Sequence, residues 1–259
     1  MGHIRLGRLP RTRKWDQVVS LLVADRPTGE IAAASAAAAE SALRRAHADS
    51  AFGYAFWLLT QIPLAARSPN FNASLQKVGL RTDAEPTMLA VVGAFTEAVD
   101  RRIGEVGGRT DFGEMAQLAA AESLTTVAGR DLPSLFSPTP DDVKLALGRL
   151  AAPNRFATLA REFFSRLTAR YLDYFLSREI SNHVGPAGRL RSIDDHTGFN
   201  EALEQHCREA SRIVEAFAGG WFSKTHFEGG ITPEKAQDFA YVAFKKIQSE
   251  LRKRSEADA

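Results

Sequence analysis

Between residues 154 and 180 large apolar side chains recur every three or four positions, with no proline or glycine to interrupt them. Phe156, Leu159, Phe163, Leu167, Tyr171 and Tyr174 make one stripe, and Phe164, Leu172 and Phe175 add a second. A period near 3.6 specifies a helix, and a helix apolar on two stripes must be enclosed by others rather than laid on a surface. It is therefore expected to be the central helix of its lobe. Helical period dominates the rest of the chain too, and no stretch shows the alternation or the β-branched runs bounded by turns that mark strands. The predicted class is all-α: a multi-helix globular fold of two packed helical lobes, without significant β-sheet.

Punctuation divides the chain into a basic arm over 1–14, a first helical lobe over 15–130 and a second over 140–254. Pro133, Pro138 and Pro140 fall within ten residues and mark the strongest break, at 131–140. In the first lobe a helix is expected after Thr12, running through Trp15, Val18, Val19 and Leu22 and stopping before Pro27. Thr28 reads as the cap of an alanine-rich helix reaching about residue 48. A third helix, over 50–62, should be kinked or ended by Pro63. A longer one over 86–103 stops at Gly107 and Gly108, and Thr110 caps another that extends to about residue 128.

The second lobe opens on Thr139, Pro140, Asp141 and Asp142: a cap, a proline at the first helical position, and two acids favoured by the helix dipole. Those carboxylates need no catalytic explanation. Phe199, Leu203, Cys207, Ala210, Val214 and Phe217 predict a helix over 199–217. The last helix starts at Thr232, Pro233 and Glu234 and ends in the basic run Arg252, Lys253 and Arg254.

With 259 residues, 44% hydrophobic, the chain can bury a real core. No apolar run approaches the roughly 20 residues that span a bilayer, so no membrane role is expected. The formal net charge of +2 hides an asymmetry, because Arg5, Arg8, Arg11, Arg13 and Lys14 give the first fourteen residues +5 and leave −3 on the rest. A protein that wraps nucleic acid over its whole surface needs the opposite balance, so any such role must be local. One cysteine cannot form an intramolecular disulfide, and the start lacks the apolar core of a secretory signal, which together predict a reducing, cytoplasmic setting. Arginine outnumbers lysine and alanine is abundant, a bias expected of a bacterial source.

The residues able to do chemistry have structural readings beside them. Cys207 lies on the apolar stripe of its helix, where it is expected to pack as an inert small hydrophobe, with His206 at the stripe's edge. His183, His196, His206 and His226 lie in the second lobe, yet no tightly spaced ligand pair accompanies them, so neither a metal nor another cofactor is expected. Asp194, Asp195 and His196 read as loop and cap residues ahead of the helix at Phe199.

Residues 219–230 carry glycine pairs at both ends around Trp221, Phe222, Ser223, Lys224, Thr225, His226 and Phe227. A Walker A reading of Ser-Lys-Thr fails, since Ser223 and Ala218 stand where that motif needs glycine and a helix precedes it. The segment reads as a glycine-hinged loop. Either its aromatics fold back to plug the core, or Trp221, Phe222 and Phe227 with Lys224 and His226 present a contact surface to a protein partner.

The arm divides in the same way. It is a solvated terminus, or its arginines, interleaved with Ile4, Leu6 and Leu9, meet a partner groove or a phosphate backbone. No G-x-S-x-G, no H-E-x-x-H and no phosphate loop after a strand is present. The expected function is that of a non-enzymatic helical accessory subunit of a bacterial cytoplasmic assembly, in a defence or mobile-element system, docking through Arg5, Arg8, Arg11, Arg13 and Lys14 and through the aromatic segment. Two alternatives stay open: a nucleic-acid-binding module using the arm, and an enzyme with a His-containing pocket in the second lobe.

Overall fold

A computed structural model describes residues 12–39, 49–106, 108–133, 137–180 and 192–257. Among them the secondary structure is helical throughout, in eleven helices with no strand. These are α1 (Arg13–Val23), α2 (Thr28–Ala38), α3 (Ser50–Ala66), α4 (Phe71–Lys77), α5 (Met88–Val106), α6 (Asp111–Gly129), α7 (Pro140–Arg149), α8 (Pro153–Ile180), α9 (Ile193–Ala210), α10 (Arg212–Phe227) and α11 (Pro233–Ala257). None of the described helices is long and apolar enough to cross a membrane.

Local chemistry starts several of them where the sequence places the start. The Thr12 hydroxyl accepts from the Trp15 amide, and that of Thr110 from the Gly113 amide. Thr139 forms a reciprocal capping box with Asp142, with Pro140 opening α7. Two expectations change. Thr28 is the first residue of α2, and Pro27 takes the cap position without a side-chain bond. Pro63 lies inside α3, which continues to Ala66 because the side chains on both sides of it, Ile62 and Ala65, are buried. Tertiary burial here outweighs the usual cost of an interior proline. The reach of α2 toward residue 48 lies outside the described residues.

Two helices organise the packing. The long helix α8 contacts α2, α6, α9, α10 and α11, while α3 lies against α4, α5, α6, α7 and α11. Where they meet, the Phe56 ring is 5.4 Å from that of Phe163, 5.2 Å from Phe164 and 5.5 Å from Phe239. A second layer of rings, Phe52, Phe112 and Phe244, continues the cluster. The buried side chains on either side of residues 131–140 join in one continuous cluster. The proline-rich segment interrupts helix, not core.

Small residues set how near the helices come. Gly29, Ala32, Ala33, Ser35, Ala36 and Ala38 are buried along α2, which is enclosed by α1, α8, α9 and α11. The helix expected over 199–217 is two helices: the first begins at Ile193, behind a Ser192–Asp195 capping box, and ends at Ala210. The second runs straight through the two glycines at 219 and 220. Gly219 is required by contact, since a methyl group there would lie 2.8 Å from the Pro153 carbonyl carbon and nearer still to its oxygen. Gly220, exposed, has nothing within 4 Å of the same position.

The two adjacent glycines therefore respond oppositely to alanine. Gly219→Ala is expected to cost about 1–3 kcal/mol by overpacking the start of α8, and Gly220→Ala to add about 0.5–1 kcal/mol by removing backbone freedom from the unfolded chain. Urea unfolding of the two variants measures both; equal effects would refute the close approach.

Candidate functional site

The segment 219–230 is not a glycine-hinged loop. Residues up to Phe227 belong to α10, and only the turn from Glu228 onward leaves it. Helical spacing explains this. Val214, Ala218 and Phe222 recur every four residues and are buried, while Phe217 and Trp221, also four apart, both meet Phe239 of α11. Burying these rings outweighs the roughly 1 kcal/mol that each glycine costs inside a helix. Phe222 stacks on Phe156 at 4.0 Å, and Trp221 on Phe239 at 4.1 Å. Phe222 is thus buried in the core, Trp221 is half-buried against it, and neither lies on a loop.

Phe227 goes the other way. It is 91% exposed on the last turn of α10, and Lys224 and His226 beside it are exposed as well. The end that carries it is held from several directions. The amides of Glu228 and Gly230 donate to the Lys224 and His226 carbonyls at 2.9 and 3.2 Å. Gly229 and Gly230 take φ values of 107° and 90°, a left-handed conformation that favours glycine at a helix C-terminus. Beyond the turn, Trp57 Nε1 donates to the Ile231 carbonyl at 2.8 Å, and Lys235 Nζ to that of Gly230 at 3.0 Å.

Of the basic arm, Arg5, Arg8 and Arg11 lie outside the described residues. Arg13 and Lys14 are not part of an arm: they form the first turn of α1, where Lys14 Nζ donates to the Ala37 carbonyl at 3.1 Å. Trp15 follows at once, buried and stacked on Phe175 at 4.8 Å.

Cys207 is fully buried, and burial pushes its thiol pKa far above the ordinary range. Its neighbour His206 packs its ring over Gly29 of α2. Asp194, Asp195 and His196 belong to the first turn of α9 rather than to a preceding loop. Among the described residues no three His, Cys, Asp or Glu side chains gather in a way that would hold a metal ion; His183 lies outside them.

The structure also brings together polar residues that the sequence reading did not single out. A cleft of about 380 Å³ opens along α8, with α9 on one side and Glu122 of α6 on the other. On α8, Glu162, Arg166, Arg170 and Asp173 recur at helical spacing, and on α9 so do Asn200, Glu204 and Arg208. Arg166 pairs with Glu162 and, at 3.5 Å, with Glu122, which also binds Arg170. Burial raises the Asp173 pKa, the Glu204 charge raises it further, and His196 and Arg170 pull it back. The only advance signal was this polar periodicity, and nothing in a single sequence shows that two such faces meet.

No protein-family model, no curated protein and no solved structure matches this chain.

Two measurements check these environments. Cys207 should resist a thiol-disulfide reagent such as Ellman's in the folded chain and react fully once the chain is unfolded in guanidinium; rapid reaction in the native state would contradict its burial. A raised Asp173 pKa means that the folded state binds more protons than the unfolded one just above the ordinary carboxyl value of 3.8, so this group's contribution to stability falls as pH rises through that window. Asp173→Asn should therefore gain stability relative to the parent between about pH 4 and about pH 7, read as the difference in urea midpoints at the two pH values. A constant difference would show that burial does not govern this carboxyl.

Proposed function

We propose that this chain is a non-enzymatic helical subunit of a larger protein assembly, and that it docks through the C-terminal end of α10. The observation that carries the reading is the exposure of Phe227 on a helix end that is already ordered. A phenylalanine left in water forgoes about 1.5–3 kcal/mol of burial, and aromatic rings of this kind are what partners bury at the centre of an interface. Because the turn after it is pinned by Trp57 and Lys235, little conformational freedom is left to lose on association. Lys224 and His226 supply polar groups beside the ring, and Lys224 lies 3.9 Å from Glu228. Composition, with arginine in excess of lysine and a single buried cysteine, supports a bacterial and reducing setting.

The arm remains a second element of this reading through Arg5, Arg8 and Arg11. A nucleic-acid partner there would give binding that weakens steeply with salt and disappears when residues 1–11 are removed.

Affinity-tagged protein expressed in its native host should bring down one partner in constant ratio. Phe227→Ser should abolish that recovery while leaving the unfolding free energy within about 0.5 kcal/mol of the parent, as expected for an exposed position. Recovery of the partner by the variant, or no partner with the parent chain, would overturn the proposal.

A further inference from the structure

The face that α10 turns to water is not built like a solvated one. Ile213, Ala216, Gly220, Ser223 and Phe227 recur at alternating intervals of three and four residues and so form one seam along the helix. Ile213 is half-buried and the other four are exposed. A helix face that meets only water normally carries charged and long polar side chains, and this seam carries none. Val242 of α11 is exposed too, and it stands between Phe239 and Lys246, both of which lie against Phe217 beside the seam.

The seam is symmetric in size. Gly220 stands at its centre, with no atom within 4 Å of the position a side chain would take; Ala216 and Ser223 flank it, and the bulky Ile213 and Phe227 stand seven residues to either side. A two-fold interface must use one patch that fits itself. Two copies of α10 laid antiparallel across Gly220 meet this condition: the backbones come closest at the two glycines, Ser223 lies against the partner's Ala216, and Phe227 covers the partner's Ile213. A foreign helix would impose no such symmetry of size. Charge selects the antiparallel sense. A parallel pair would set Lys224 against its own copy and align the two helix dipoles. In the antiparallel pair the dipoles oppose, and Arg212 comes to the C-terminal end of the partner's helix, where the last carbonyls favour a cation. Lys224 at that end is already held 3.9 Å from Glu228.

We propose that α10 pairs with the α10 of a second copy of this chain, antiparallel about a two-fold axis at Gly220. The proposal rests on the reading that α10 docks a partner, and it names that partner: in affinity recovery from the native host it is the untagged copy of the same chain. One helix pair about 24 Å long makes a small interface, so dissociation in the micromolar range is expected, and unfolding measured in dilute solution follows the monomer.

Light scattering on the full chain at about 0.5 mM should give twice the mass of one chain, falling toward one on dilution. Gly220→Glu leaves the monomer unstrained, because the position is open and glutamate is the better helix former, yet it blocks the contact between glycines. It should keep the parent circular dichroism and weaken dimerisation by at least about tenfold. Crosslinking tests the register. Cys207 is buried, so a new surface cysteine reacts alone. Gly220→Cys should join two copies under copper-phenanthroline oxidation, since crossing glycines fall within the disulfide reach of about 7 Å between Cα atoms. Lys224→Cys should crosslink at least about tenfold more slowly, its two copies standing about 12 Å apart along the helix axis. A single-chain mass at about 0.5 mM would overturn the dimer; recovery of a different protein with the tagged chain would then leave docking through α10 standing without it. Undiminished dimerisation of Gly220→Glu, or equal crosslinking at 220 and 224, would overturn the two-fold at Gly220.

Discussion

The structure depends on the packing of phenylalanine rings around Phe56. That ring lies on α3 and touches rings of α8 and α11, with Trp221 of α10 at 6.2 Å. Aromatic pairs at such distances contribute about 0.5–1.5 kcal/mol beyond the area they bury, and this cluster joins helices separated by more than a hundred residues of sequence. Loop closure over such lengths costs only slowly increasing entropy, so a strong long-range cluster can hold together what local propensity alone would not. It also explains why the proline-rich segment at 131–140 does not divide the core: α3 precedes it, α8 and α11 follow it, and their rings interlock.

Close helix approach is the second constraint, and it follows from the first. For Phe222 to stack on Phe156, α10 must come against the start of α8, and at Gly219 there is no room for a side chain. The alanines of α2 serve the same end, letting four helices surround one. Where that pressure is absent, side chains are released to solvent, and the end of α10 shows the contrast within five residues: Phe222 is buried and Phe227 is not. The docking surface proposed here is what remains of an aromatic segment after the core has taken what it needs.

Much of the fold was legible in the chain itself. The caps at Thr12, Thr110 and Thr139 depend only on a hydroxyl and an amide three residues on, so local sequence specifies them. The stripe from Phe156 to Tyr174 on α8, and the burial of Cys207, follow from helical period. Pro63 and the glycines at 219 and 220 have a local preference to break helices, yet both helices continue through them. In both places the energy of burying neighbouring side chains is larger than the penalty. The cleft was not legible at all, since Asp173 and Glu204 each stand on a face that reads as ordinary solvated helix.

The sequence by itself determined that this protein is all-helical, where most helices begin, and which side chains seek the interior, because periodicity and capping act over a few residues. Only the tertiary structure decided that the segment around Trp221 is a helix, that Phe227 is left outside, and that the charged faces of α8 and α9 confront each other across a cleft. These outcomes turn on contacts between residues far apart in the chain, whose energies exceed the local preferences they override.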